Sequence, residues 1–126
     1  MTSANVHELN ELNFESLVLR ASGLVLVDFT AQWCPPCRAL SPVVARIAGE
    51  TGGRVFVGSV DVDACPELGS RYRIRGLPTV VVFSAGQEIA RRTGLTNENG
   101  LRALLSSPAS HQEVATRASA QRNRVG

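Results

Sequence analysis

Lysine is absent from this chain: every one of its thirteen cations is arginine. We read that as genomic base composition rather than function. Long apolar runs are missing too, since none approaches the length of a membrane span. Met1 to Asn10 lacks the basic stretch and apolar core of a secretory leader. Both absences lead to the expectation of a cytoplasmic protein that does not enter a membrane. Cysteine is scarce, three residues in 126, too few for a disulfide framework. Aromatic residues are only 5% of the chain and no arginine stripe interleaves with them, so nucleic-acid binding has no support.

What remains is an ordinary domain. Hydrophobic residues make up 44%, enough for one core without disulfide staples or a structural metal. The net charge of +2 is unevenly placed: residues 1–107 hold ten Arg against ten acidic residues, while Pro108 to Gly126 add Arg117, Arg122 and Arg124 against Glu113. We therefore expect a neutral domain over 1–107 and a basic, mobile tail over 108–126, where the apolar pattern fades into Ser, Ala, Gln, Asn and Arg.

Periodicity predicts alternating elements. Asn13 to Arg20 reads as a helix with Phe14, Leu17 and Val18 on one face. Leu24 to Phe29 is a near-continuous apolar run of the kind a buried central strand shows. Cys34 to Glu50 is helical, bearing Leu40, Val43, Val44, Ile47 and Ala48, with Thr51-Gly52-Gly53 as its stop and a kink expected at Pro42. Arg54 to Val60 is a second strand, and Pro66 to Tyr72 a short helix opened by Asp63 and Pro66. Thr79 to Phe83 turns through Ser84-Ala85-Gly86-Gln87 into Glu88 to Thr93, which is hairpin chemistry. Asn97 caps a last helix carrying Leu101, Leu104 and Leu105. Strands alternating with helices and then a hairpin imply a mixed sheet covered on both faces.

The chemistry concentrates in Trp33-Cys34-Pro35-Pro36-Cys37, where a strand ends and a helix begins. A helix N-terminus offers unpaired N–H groups and the positive end of the dipole, which favour a thiolate at Cys34. Cys37 lies one turn on, close enough to close a disulfide. Cys34 is read as the attacking thiolate and Cys37 as the less exposed resolving thiol of thiol-disulfide exchange. The alternative of a zinc site lacks ligands: only Cys65, His7 and His111 remain, none paired with another, so no metal is expected. Asp28 is a carboxylate inside the most hydrophobic run. It is either a buried acid with a raised pKa, able to take the Cys37 proton directly or through a water, or a strand-end Asp pointing into a turn. Trp33 covers part of the site or simply packs. Cys65, placed at the surface before Pro66, is read first as an incidental free thiol, with glutathionylation or an intermolecular disulfide as the alternative.

Taken jointly over Asn5 to Leu105, the motifs resemble the thioredoxin family: Val25-Leu26-Val27-Asp28-Phe29, Trp33-Cys34-x-Pro36-Cys37, Pro42, Asp61-Val62-Asp63, Tyr72-x-Ile74-Arg75-Gly76-Leu77-Pro78-Thr79, and Gly94. The resemblance implies an α/β thioredoxin fold, a mixed five-stranded sheet of order 1-3-2-4-5 flanked by four helices. It implies a cis peptide bond at Pro78, lying against the cysteines, and favours the proton-acceptor reading of Asp28. Gly76, Leu77, Pro78 and Gly94, with Val62 and Trp33, match the family's substrate-docking surface, where small residues admit an extended client backbone.

Implied with it is a protein-disulfide reductase, monomeric and without a bound cofactor, recharged by an NADPH-dependent thioredoxin reductase and serving disulfide-containing clients. Rival readings are a tryparedoxin-like or disulfide-oxidant relative, and a thioredoxin-fold binding protein without turnover. Three departures bear on redox tuning and partner choice. Pro35 stands where the family most often has Gly, so that Pro35 and Pro36 form a pair; Ser59 replaces a frequent Lys beside the buried carboxylate; Thr30 replaces a common Trp.

Overall fold

The computed structural model describes residues 5–106. The expected tail over 108–126 lies outside the described residues.

The apolar run around Asp28 becomes the central strand β2, Leu24–Thr30. Side chains alternate across a strand, so Val25, Val27 and Phe29 enter one core cluster while Leu26 enters the other. Around it stand β1, His7–Leu9; β3, Val55–Asp61; β4, Thr79–Ser84; and β5, Gln87–Thr93. The order is β1-β3-β2-β4-β5, as the resemblance implied. β3 pairs in parallel with β1 and β2, whereas β4 is antiparallel to β2 and β5.

Three α-helices follow from the chain's own signals: α1, Pro35–Thr51; α2, Pro66–Arg71; and α3, Glu98–Leu105. A left-handed Gly52, φ 57°, stops α1, as a glycine C-cap should. The Asn97 side chain caps α3 by accepting the Gly100 N–H at 2.9 Å. α1 holds Pro42 inside one continuous helix.

Other expectations shift. The predicted helix over Asn13–Arg20 shortens to a π-helical segment, Glu15–Leu19, in which the Arg20 N–H reaches the Glu15 carbonyl at 3.0 Å. Before it, Asn10 and Asn13 form a reciprocal cap, each side chain accepting the other's N–H at 2.8 and 3.0 Å, and the Phe14 N–H reaches the Asn10 carbonyl at 3.0 Å. Asp63 does not open α2; Cys65 occupies the N-cap and its side chain makes no capping bond. Periodicity missed β1, whose three residues are too few to show a period. Gly58 makes room for it, because a Cβ there would meet Leu9 Cδ1 at 2.4 Å. The β4–β5 turn uses Ala85 and Gly86, both at positive φ, the twist a two-residue hairpin requires.

Two cores result. α1 and α3 cover one face of the sheet with Leu40, Val44, Ile47 and Leu101. The other face packs Phe14, Phe29, Phe83 and Leu68, with the Tyr72 ring against the phenylalanines. Among the described residues no helix is long and apolar enough to cross a membrane.

Candidate active site

β2 delivers the chain to the end of the sheet, and Cys34 then takes the N-cap of α1 in an extended conformation, φ −94° and ψ 111°. Pro35 and Pro36 fill the first two helical positions and carry no N–H. The first donor of the helix is therefore the Cys37 N–H, which points at Cys34 Sγ from 3.3 Å. The next, on Arg38, goes to the Cys34 carbonyl at 3.1 Å. Cys34 and Cys37 are unbonded thiols, both buried in a small cluster with Ala31 that Val62 and Leu77 pack against. At 3% and 1% exposure the expected difference between them is slight.

Each thiol opens on a groove of its own. Cys34 lines a cleft of about 440 Å³ with Trp33, Pro35, Pro36, Val62, Gly76 and Leu77. Cys37 lines a larger one, about 940 Å³, with Asp28, Thr30, Ser41, Ser59 and Cys65. Of the sequence-predicted docking residues, only Pro78 and Gly94 fall outside the first cleft. They are tied to each other by the Gly94 N–H, which donates to the Pro78 carbonyl at 2.8 Å. Leu77–Pro78 is cis, Pro78 is buried, and Leu77 packs against the thiol cluster. The glycines have reasons of their own: a Cβ on Gly76 would meet the Thr93 methyl at 3.0 Å, and Gly94 holds φ +103°.

Asp28 sits in mid-strand, buried, which removes the reading of a strand-end turn. Its Oδ1 has no hydrogen-bond partner among the described residues, and burial raises the carboxyl pKa to about 7. Burial also pushes the Cys37 thiol up, and its hydrogen bond with Cys34 adds to that; Thr30 and the Ala31 backbone, bonding to the thiolate, pull it back. Thr30 thus touches the chemistry, a role that its standing in for a tryptophan did not reveal.

Two further residues escaped the sequence. Asp63, read as a helix opener, instead accepts the exposed Trp33 indole N–H through Oδ2 at 2.7 Å and fixes the ring over the cleft. Thr79 Oγ1 donates to the Gly76 carbonyl at 2.6 Å and meets Thr93 Oγ1 at 3.1 Å, which holds the segment leading into Pro78. Only a Thr flanking the Pro could have hinted at it. Cys65 is corrected outright: it is buried, with its thiol 4.0 Å from the Leu9 carbonyl. Burial pushes that thiol up, and the charges of Glu11, Asp61 and Glu8 add to the shift. The described residues contain no group of three or more His, Cys, Asp or Glu able to hold a metal.

Comparison with known proteins bears on the same span. The thioredoxin family model matches residues 5–107. Thioredoxin C-2 of Corynebacterium nephridii is 36% identical over 103 residues, 82% of this chain and 95% of its own length. The thioredoxin of Acidithiobacillus ferridurans is 40% identical over 95 residues, 75% of this chain and 88% of its own. That of Rickettsia bellii (strain RML369-C) is 39% identical over 93 residues, 74% and 89% respectively. With the dithiol inside the matched span and such identity across most of the chain, the chain belongs to the thioredoxin family, thiol-disulfide oxidoreductases that reduce the disulfides of client proteins and are themselves recharged by a reductase.

Proposed function

We propose that the reductase cycle of this chain runs through Cys34 as nucleophile, Cys37 as resolving thiol and Asp28 as the proton acceptor. The Cys34 thiolate attacks one sulfur of a client disulfide, forming a mixed disulfide and expelling the other client sulfur as a thiolate that takes up a proton. Cys37, giving its proton to Asp28 directly or through water in the shared groove, then attacks Cys34 Sγ. The Cys34–Cys37 disulfide forms and the client leaves as a dithiol, carrying two electrons and two protons. A thioredoxin reductase drawing on NADPH returns them. The observation that carries this assignment is the Cys37 N–H donating to Cys34 Sγ at the helix start, a donor placed for a thiolate at Cys34.

Trp33, Val62, Gly76 and Leu77 are the proposed client cleft, with Pro78 and Gly94 holding its wall and Pro35 and Pro36 tuning the redox pair. The unit at work is the domain over 1–107, taken to act as a monomer in the cytoplasm.

Substituting each thiol separates the roles. Cys34→Ser is expected to abolish insulin reduction with reductase and NADPH, whereas Cys37→Ser still attacks and stalls as a covalent mixed disulfide. Trapping by Cys34→Ser but not by Cys37→Ser would reverse the assignment.

A further inference from the structure

We infer that Arg73 and Arg75 give the client cleft a cationic lip that selects extended segments carrying carboxylates near the reducible cysteine; this rests on the client-docking reading above. Through residues 71–75 the chain alternates, with Arg71, Arg73 and Arg75 exposed and Tyr72 and Ile74 half-buried. Ile74 and Arg75 both line the cleft beside Gly76 and Leu77.

These charges stand free where others are engaged. Arg71 lies over the Tyr72 ring, 5.9 Å from its centroid. Arg91 is paired with Glu88 and spends its remaining donors on the Tyr72 and Arg73 carbonyls, at 2.7 and 3.5 Å, which steadies the backbone that presents the lip. Arg73 and Arg75 have no carboxylate partner among the described residues. Asp63 accepts the Trp33 indole N–H, Asp61 Oδ1 accepts the Asp63 N–H at 2.9 Å, and neither acid forms an ion pair with Arg73 or Arg75.

Backbone strain points the same way. Arg73 is held at φ +56°, a left-handed conformation that glycine takes freely and that strains a residue bearing a side chain. A long cation at that position is a departure from what stability alone would choose, and such departures gather at recognition sites. A guanidinium meets a carboxylate with two parallel hydrogen bonds, and in an extended client alternate residues face the same side. Carboxylates at alternate positions beside the client cysteine therefore face one side together, where the exposed Arg73 and Arg75 can each pair with one.

The test uses the full chain, reduced with dithiothreitol and freed of it, and two disulfide peptides identical except for two Glu or two Lys flanking the cysteine. A neutral dialkyl disulfide serves as reference. The Glu peptide is expected to be reduced at least about fivefold faster than the Lys peptide at low ionic strength. High salt should bring the ratio toward one. Arg73→Glu with Arg75→Glu should invert the ratio. Arg73→Gly, which relieves the backbone conformation and so keeps the fold, should reduce it. Equal rates for the two peptides, with the neutral disulfide still reduced, would overturn the lip and leave the reductase reading intact. Failure to reduce any of the three would overturn both.

Discussion

Asp28 combines an unpartnered oxygen with nearly complete burial, so its ionisation is opposed by the fold itself. The folded carboxyl titrates near pH 7 against an ordinary value of 3.8, so the native state holds a proton that the unfolded chain has released between those values. Its ionisation therefore costs nothing below about pH 4, and that cost grows as pH rises, reaching roughly 4 kcal/mol above pH 7. Asp28→Asn should match the parent in denaturant unfolding at pH 4 and exceed it by a few kcal/mol at pH 8. The same substitution should slow resolution of the mixed disulfide around neutral pH. A stability difference independent of pH would contradict the assignment. The residue itself was legible as a lone charge in an apolar run; its orphaned oxygen was not, because the neighbours that fail to reach it come from other strands and from α1. Cys65 failed for the same reason: a Cys-Pro step reads as surface, whereas the tertiary core, Leu9 of β1 included, buries it.

At the scale of elements, legibility tracked length and period. β2, α1 and the β4–β5 hairpin each carry several apolar repeats or a turn signature, whereas β1 has three residues and depends on Gly58 in its neighbour. Gly58→Ala places a Cβ 2.8 Å from Leu9 Cγ and 3.2 Å from the His7 carbonyl, so β1 must shift. A loss of about 1–3 kcal/mol is expected, partly recovered in the Gly58→Ala, Leu9→Ala pair, which a double-mutant cycle measures. Strict additivity of the two would show that the contact does not matter. α1 offers a second case. Pro35 fixes the first helical residue, and a Gly there frees the backbone that must be ordered when the disulfide closes. Pro35→Gly should make the reduction potential less negative by roughly 20 mV, read by equilibration with glutathione. A more negative value would sink the argument.

The whole molecule divides its tasks between two sheet faces. Aromatic rings fill one, while aliphatic side chains fill the other, where α1 lies with its dithiol at one end. Among the described residues the exposed large hydrophobics are Leu12, Trp33 and Leu95, and Trp33 belongs to the client cleft, which leaves little apolar surface for self-association. Sedimentation at micromolar concentration should give the mass of a single chain in both redox states; a stable dimer would contradict the monomer. The layered α/β plan could be read from alternation of elements, but the strand order needed the family resemblance, since nothing local says which parallel neighbour β3 will choose.

The indole held by Asp63 has an optical meaning. It is the chain's single tryptophan, standing beside Cys34 at the cleft, while the one tyrosine is packed in the aromatic core. Emission excited at the red edge of the protein band therefore comes from one ring at one address. Closing the sulfur pair, seating a client or releasing the Asp63 bond each changes that ring's surroundings. The chain carries its own fluorescent gauge of the redox site, readable without a dye.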